Sequence, residues 1–162
     1  MHELLLALQN TGFATAIREG DTLFPWIESI HVLAISLVVG TILIVDLRLL
    51  GFGAHRRSIS ALMREVLPLT WSFFAIAATT GFLLFASAAV KYAALWEFQA
   101  KMLLLAGAGL NMTSFHVVSG RGMAAWDEAV TPPLAAKVAG ALSLCLWLGV
   151  LVMGRVIGFA LP

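Results

Sequence analysis

The chain has 162 residues, of which 60% are hydrophobic and 12% charged, with a mean hydropathy of +0.95. A soluble domain carries about 25% charged residues, so these values exclude an ordinary soluble fold and imply membrane insertion. A net charge of +1, with no basic patch interleaved with aromatics, sets nucleic acid aside as a partner. The single cysteine, Cys145, precludes an intrachain disulfide or a cysteine-based metal site, and within its apolar run it reads as a small buried hydrophobe.

The apolar residues fall into long runs. Residues 2–17 are predicted to form one short helix, too brief to span, that lies in the interface or packs on the bundle. Leu4 to Leu8 and Ala14-Thr15-Ala16 have the shape of a signal core and cleavage site, but Met1-His2-Glu3 lacks the positive start, so retention is expected. Thr22 or Asp21 can cap the first span. Four spans are predicted at about 24–50, 66–90, 97–120 and 132–159, each near the ~20 residues needed to cross ~30 Å of hydrocarbon. Pro68 is placed in the first turn of the second span, and Thr131 before Pro132 is read as the start of the fourth. The loops between them fall at Gly51–Glu65 and Ser119–Ala135. The expected architecture is all-α: a four-helix integral membrane bundle, up-down-up-down, with a short N-terminal interfacial helix, in one domain over residues 1–162.

Lysine and arginine sort the two ends. Arg48, Arg56, Arg57, Arg64, Arg121 and Lys137 lie on one side, and Arg18, Lys91, Lys101 and Arg155 on the other, which places both termini outside. Trp71 and Trp126 read as interfacial anchors, and Trp147 as lining a cavity or facing lipid.

Ionisable groups inside a span cost ~2.5–3.5 kcal/mol at the helix centre and mark function by default. His31 lies about two turns into the first span, with Glu28 on its face and Lys101 at similar depth on the third. Neutral imidazole is an axial ligand for haem iron and a ligand for copper; its structural alternative is a histidine bonded to a threonine on the second span. At about 100° per residue, Lys101 and His116 lie ~60° apart on one stripe with Leu105, Ala108 and Met112. Beside them, Ala106-Gly107-Ala108-Gly109 allows a helix or a flat ligand to approach. Lys101 either snorkels outward or holds a carboxylate such as a haem propionate. At 1.5 Å per residue, His31 sits ~10 Å and His116 ~25 Å or more below the outer surface, so the two do not clamp one iron. A second site could join His116 to His55, Met63 or Met112; alternatively Asp46 pairs with His116 or Arg48.

Ile30-His31-Val32 early in the first span and Asp46-Leu47-Arg48 at its far end, with Thr80-Gly81, Phe98-Gln99-Ala100-Lys101 and His116, resemble the small four-helix bacterial inner-membrane proteins grouped with HemJ and the membrane part of CopD. The resemblance covers all four spans. It implies a b-type haem and porphyrinogen oxidation, with His31 and Lys101 in the implicated positions. The chain departs from the HemJ pattern of Trp-x-His-x-Lys before the third span, since Trp96 and Lys101 have no histidine between them.

These readings converge on an inner-membrane protein with both termini in the periplasm. It is expected to bind haem b through His31, with Lys101 at the propionates and His116 as a candidate second ligand. Its role would be electron transfer, or oxidation of a small hydrophobic substrate such as a quinol or porphyrinogen. The alternatives are a transporter for copper or another small solute, and a structural subunit of a larger complex. A homo-oligomer and a periplasmic or membrane redox partner are compatible with each.

Overall fold

The computed structural model describes residues 1–52, 58–118, 126–127 and 132–160. All regular structure among them is helical: α1 (His2–Gln9), α2 (Gly12–Glu19), α3 (Leu23–Leu50), α4 (Ile59–Ser87), α5 (Ala89–Ala94), α6 (Trp96–Val118) and α7 (Leu134–Ala160). Three of these, α3, α4 and α7, are long and apolar enough to cross a membrane. Helix α6 has 23 residues, but Lys101, Asn111 and His116 dilute its apolar character.

Side chains point the way lipid demands. Leu33, Ile44, Trp71, Leu103, Leu110, Val138 and Leu148 are all exposed, the reverse of a water-soluble core. Cys145 is exposed as well, so its apolar surroundings are not a protein core, as expected from the sequence, but the outward face of α7. Hydroxyls in the spans bond to the carbonyl one turn back, as Ser36 does to Val32 (2.8 Å) and Thr79 to Ala75 (2.9 Å). Such bonds remove the cost of a bare polar group in hydrocarbon.

Helix boundaries differ from the predicted ones where capping overrides hydropathy. The N-terminal segment is two helices, because the chain breaks at Asn10 and Thr11, where Thr11 Oγ1 donates to the Leu8 carbonyl (2.7 Å). Both pack on the bundle: Arg18 Nη1 donates to the Gln9 and Ser87 carbonyls (3.0 and 3.1 Å), and Gln9 Oε1 accepts from the Val90 amide (3.2 Å). Thr22 stands at the N-cap of α3, but its side chain makes no capping bond. The end of α3 falls where expected. Gly51 takes a left-handed φ of +94°, and the Phe52 amide bonds back to Leu47 (2.8 Å).

Helix α4 starts well before residue 66. Ser58 Oγ accepts from the Ala61 amide (3.2 Å), and Asp127 accepts from the Ser60 amide (2.7 Å) and hydroxyl (2.5 Å). Pro68 is consequently an interior residue of α4 and not a first-turn one. The second span ends at Ser87, and Ala88 leads into the separate helix α5. Helix α7 begins at Leu134, after Pro132 and Pro133; Thr131, the expected cap, lies outside the described residues. So do His55, Arg56, Arg57, Arg121 and residues 119–120 of the third predicted span.

Two hairpin-like pairs make the body: α3 packs on α4, and α6 on α7. The pairs meet through α3 and α7, where Gly140 lets the backbones close; a Cβ there would lie 3.1 Å from the Asp46 carbonyl and 3.1 Å from Leu49 Cβ. Gly107 serves the α6–α7 contact in the same way, against Leu146. A core cluster that includes Val45, Leu49, Ile59, Met63, Val66 and Phe115 closes one end. Helices α4 and α6 do not pack along their length among the described residues. That missing contact leaves a cleft, backed by α3 and α7, and the polar residues of the spans face it.

Candidate cofactor site

The cleft holds two cavities end to end. Val38, Phe74, Leu105 and Trp147 border both and form the partition between them. Trp147 therefore lines cavities, the first of its two predicted uses.

The larger cavity, about 490 Å³, is lined by Glu28, His31, Tyr92 and Lys101 among mostly apolar and aromatic groups. His31 is held from two sides. Its Nδ1 lies 3.0 Å from Thr80 Oγ1. The Thr80 hydroxyl is already committed as a donor, to the carbonyl of Ile76 at 2.7 Å. A hydroxyl has one proton, so with Thr80 donating to Ile76 the Nδ1 of a neutral His31 carries the hydrogen and Nε2 is the acceptor nitrogen; the ring is also hydrogen-bonded to the Ala77 backbone. On the other side the ring lies against Gly81, where a Cβ would come within 2.8 Å of His31 Cε1. No side chain fits there without moving the imidazole.

Lys101 comes from α6 and lies over Gly154 of α7, where a Cβ would be 3.5 Å from Nζ. It has no hydrogen-bond or ion-pair partner among the described residues. Lys101 is half-buried and shares the cavity with the Glu28 carboxylate, and it forms no ion pair with it. Phe85 stacks on Phe98 (5.1 Å between centroids), and Tyr92 tilts against both. Burial, and then the charge of Glu28, push the Tyr92 phenol up, so it keeps its proton and remains a donor.

The smaller cavity, about 170 Å³, is bordered by Asp46, Asn111, His116 and Ser143. His116 is exposed, and its Nδ1 bonds to the Met112 carbonyl one turn back (2.9 Å). The expected pairing of Asp46 with His116 or Arg48 is not formed among the described residues: Asp46 is 4% exposed, and its Oδ2 has no hydrogen-bond partner. The partner of Asp46 is Ser143 on α7, across the contact that Gly140 permits. Of the companions expected for His116, Met63 and Met112 border the same cavity, and His55 lies outside the described residues.

The structure thus brings His31 and Lys101 to one cavity and leaves His116 in the other. Among the described residues no three of histidine, cysteine, aspartate and glutamate come together as a metal site. Sequence reading missed three contributors. Gly154 and Gly158 border the His31 cavity, and their spacing, small-xxx-small, was visible in Gly154-Arg155-Val156-Ile157-Gly158. The Phe85–Phe98–Tyr92 group and the Ser143–Asp46 contact had no local signal, because each joins separate helices. Comparison with protein-family models, with characterised proteins and with solved structures gave no match.

Proposed function

We propose that the His31 cavity holds a b-type haem, and that the protein serves electron transfer or the oxidation of a small hydrophobic substrate. The observation that carries this reading is His31, tethered through Nδ1 to Thr80 and lining an aromatic-walled cavity of about 490 Å³ together with Lys101. That volume lies within the ~300–1,000 Å³ of cofactor pockets. The donor set fits as well. A neutral imidazole whose second nitrogen is hydrogen-bonded is an axial ligand, and an ammonium at the mouth suits a propionate.

In this reading each residue has a separable task. Thr80 and Gly81 fix the imidazole, one by a hydrogen bond and one by leaving room. Lys101 neutralises a carboxylate, and Tyr92 offers it a phenolic O–H. The walls from Phe74, Phe85, Phe98 and Trp147 exclude water, which raises the strength of every charge interaction inside. A bound haem would supply the one-electron chemistry, and the protein the ligand and the dielectric.

The wider frame belongs to the same proposal. Helix α6 is the fourth span, α1 and α2 lie at the interface, and the Lys101 end with both termini faces the periplasm of a bacterial inner membrane. Kinship with the HemJ and CopD-like group is also proposed. A copper path is the second reading, and it would draw on His116, Met63 and Met112 at the smaller cavity.

The test is the absorption spectrum. Protein purified from haem-replete cells should show a Soret band that His31→Ala removes and Lys101→Met weakens. Colourless, well-folded protein would end the reading.

A further inference from the structure

The Asp46 cavity is not a smaller copy of its neighbour. Three of its side chains, traced through their bonds, keep an acceptor facing it. Asp46 Oδ2 has no partner among the described residues. His116 Nδ1 faces a carbonyl, which only accepts, so that nitrogen carries the hydrogen and Nε2 is a lone pair. Asn111 spends its Nδ2 on the Ala139 carbonyl (2.9 Å), which leaves its amide oxygen uncommitted among the described residues. The one Thr70 proton is taken up within the protein, between the Val66 carbonyl and the Thr41 hydroxyl. A buried carboxylate oxygen without a partner costs free energy until something donates to it. The occupant must therefore bring hydrogen-bond donors.

The walls say what else it must be. Trp71, Phe74, Phe115 and Trp147 surround the space, and aromatic walls favour a flat ring. A cavity of roughly 150 Å³ accepts one benzene ring, and this one offers about 170 Å³. It opens along the cleft between α4 and α6, where its lining residue Trp71 is exposed on the face turned to lipid. Entry is from hydrocarbon, so the occupant is lipid-soluble.

We propose that this cavity binds the ring of a lipid-soluble hydroquinone, with Asp46, Asn111 and His116 accepting from its hydroxyls. The oxidised quinone has carbonyls and no donors, so it leaves the Asp46 oxygen unpaired, and that oxygen favours the reduced form. This site stands apart from the haem reading, since binding here needs nothing in the His31 cavity.

The test uses the full chain in detergent micelles, made without haem, with tryptophan emission titrated anaerobically by a benzoquinol carrying a ten-carbon tail. Trp71 and Trp147 report the event. Saturable quenching is expected, with the matching quinone binding more weakly and decanol neither quenching nor competing. Asp46→Asn should raise the half-saturating quinol concentration about tenfold or more, the worth of a hydrogen bond to a charged group. Ala108→Leu fills the cavity from α6 and should abolish quenching. Equal binding of quinol, quinone and decanol would overturn the proposal and leave a lipid chain as the occupant. Unchanged affinity in Asp46→Asn would overturn it as well. If that variant does not fold, Ala108→Leu and the quinol-against-quinone comparison decide. A protein that lacks a Soret band yet binds quinol separates failure of the haem reading from failure of this one.

Discussion

The two cavities are cut from the same four helices and share a wall, yet they solve the problem of buried polarity in opposite ways. In the His31 cavity the imidazole is braced by Thr80 and Gly81, and the unpaired group is a cation. In the Asp46 cavity the side chains are tied to their own backbone or to α7, and the unpaired group is a carboxylate oxygen. The haem proposal rests on the first arrangement, and the hydroquinone proposal on the second. Polar residues in a span are thus informative only once their existing bonds have been traced. The free valence, and not the residue type, defines what can bind.

The sharpest way to break the comparison is at Gly81. Gly81→Val puts atoms where the imidazole lies, and the backbone there belongs to a helix that cannot easily retreat. The Soret band should be lost, while quinol binding in the other cavity persists. Loss of both would mean that the cavities do not act as separate units.

A gentler cut removes the second-nitrogen bond alone. Thr80→Val keeps the shape and takes away the hydroxyl that orients His31. Haem should still bind, with affinity lower by about 10–100-fold, the usual cost of losing such an orienting partner. Haem titration into the purified apoprotein measures this. Unchanged affinity would show that the Gly81 contact alone holds the ring.

The smallest effect concerns the end that carries Asp46. Slight burial raises the Asp127 carboxyl, but hydrogen bonds from Ser60, Ser58 and the Ile59 amide outweigh it and hold the group below its usual value. A depressed carboxyl stabilises the fold above its ordinary range, and that contribution fades as pH falls through the lowered value. Asp127→Ala should cost about 1 kcal/mol near neutrality, as for other helix caps. In strong acid the variant and the parent should unfold alike. Thermal unfolding across pH checks this, and the Soret band should not respond at neutral pH.

Depth was legible before any fold was known. Because each helical residue adds ~1.5 Å, counting along the chain separates His31 from His116 and sets His31 level with Lys101. The structure agrees, with one histidine in each cavity. The partner of His31 was legible only as a class, a threonine on the second span. That Thr80 is the residue, and that Gly81 beside it makes the room, depends on how α4 is rotated against α3. The pairing of Asp46 was misjudged for the same reason. His116 lies near it in depth but turns its Nδ1 to Met112, and the Gly140 contact brings Ser143 to the carboxyl instead.

By itself, then, the sequence determined that helices would cross lipid, where along each one the polar groups would fall, and which of them share a depth. Those follow from hydrocarbon thickness, rise per residue and the cost of bare backbone groups, all of which are local. Tertiary structure alone decided that α4 and α6 stand apart beyond the Phe85–Phe98 stack, that the gap divides into two cavities at Trp147, and which lone pairs and charges are left over. Those depend on azimuth and on which helices touch, and a chain read one residue at a time does not carry either.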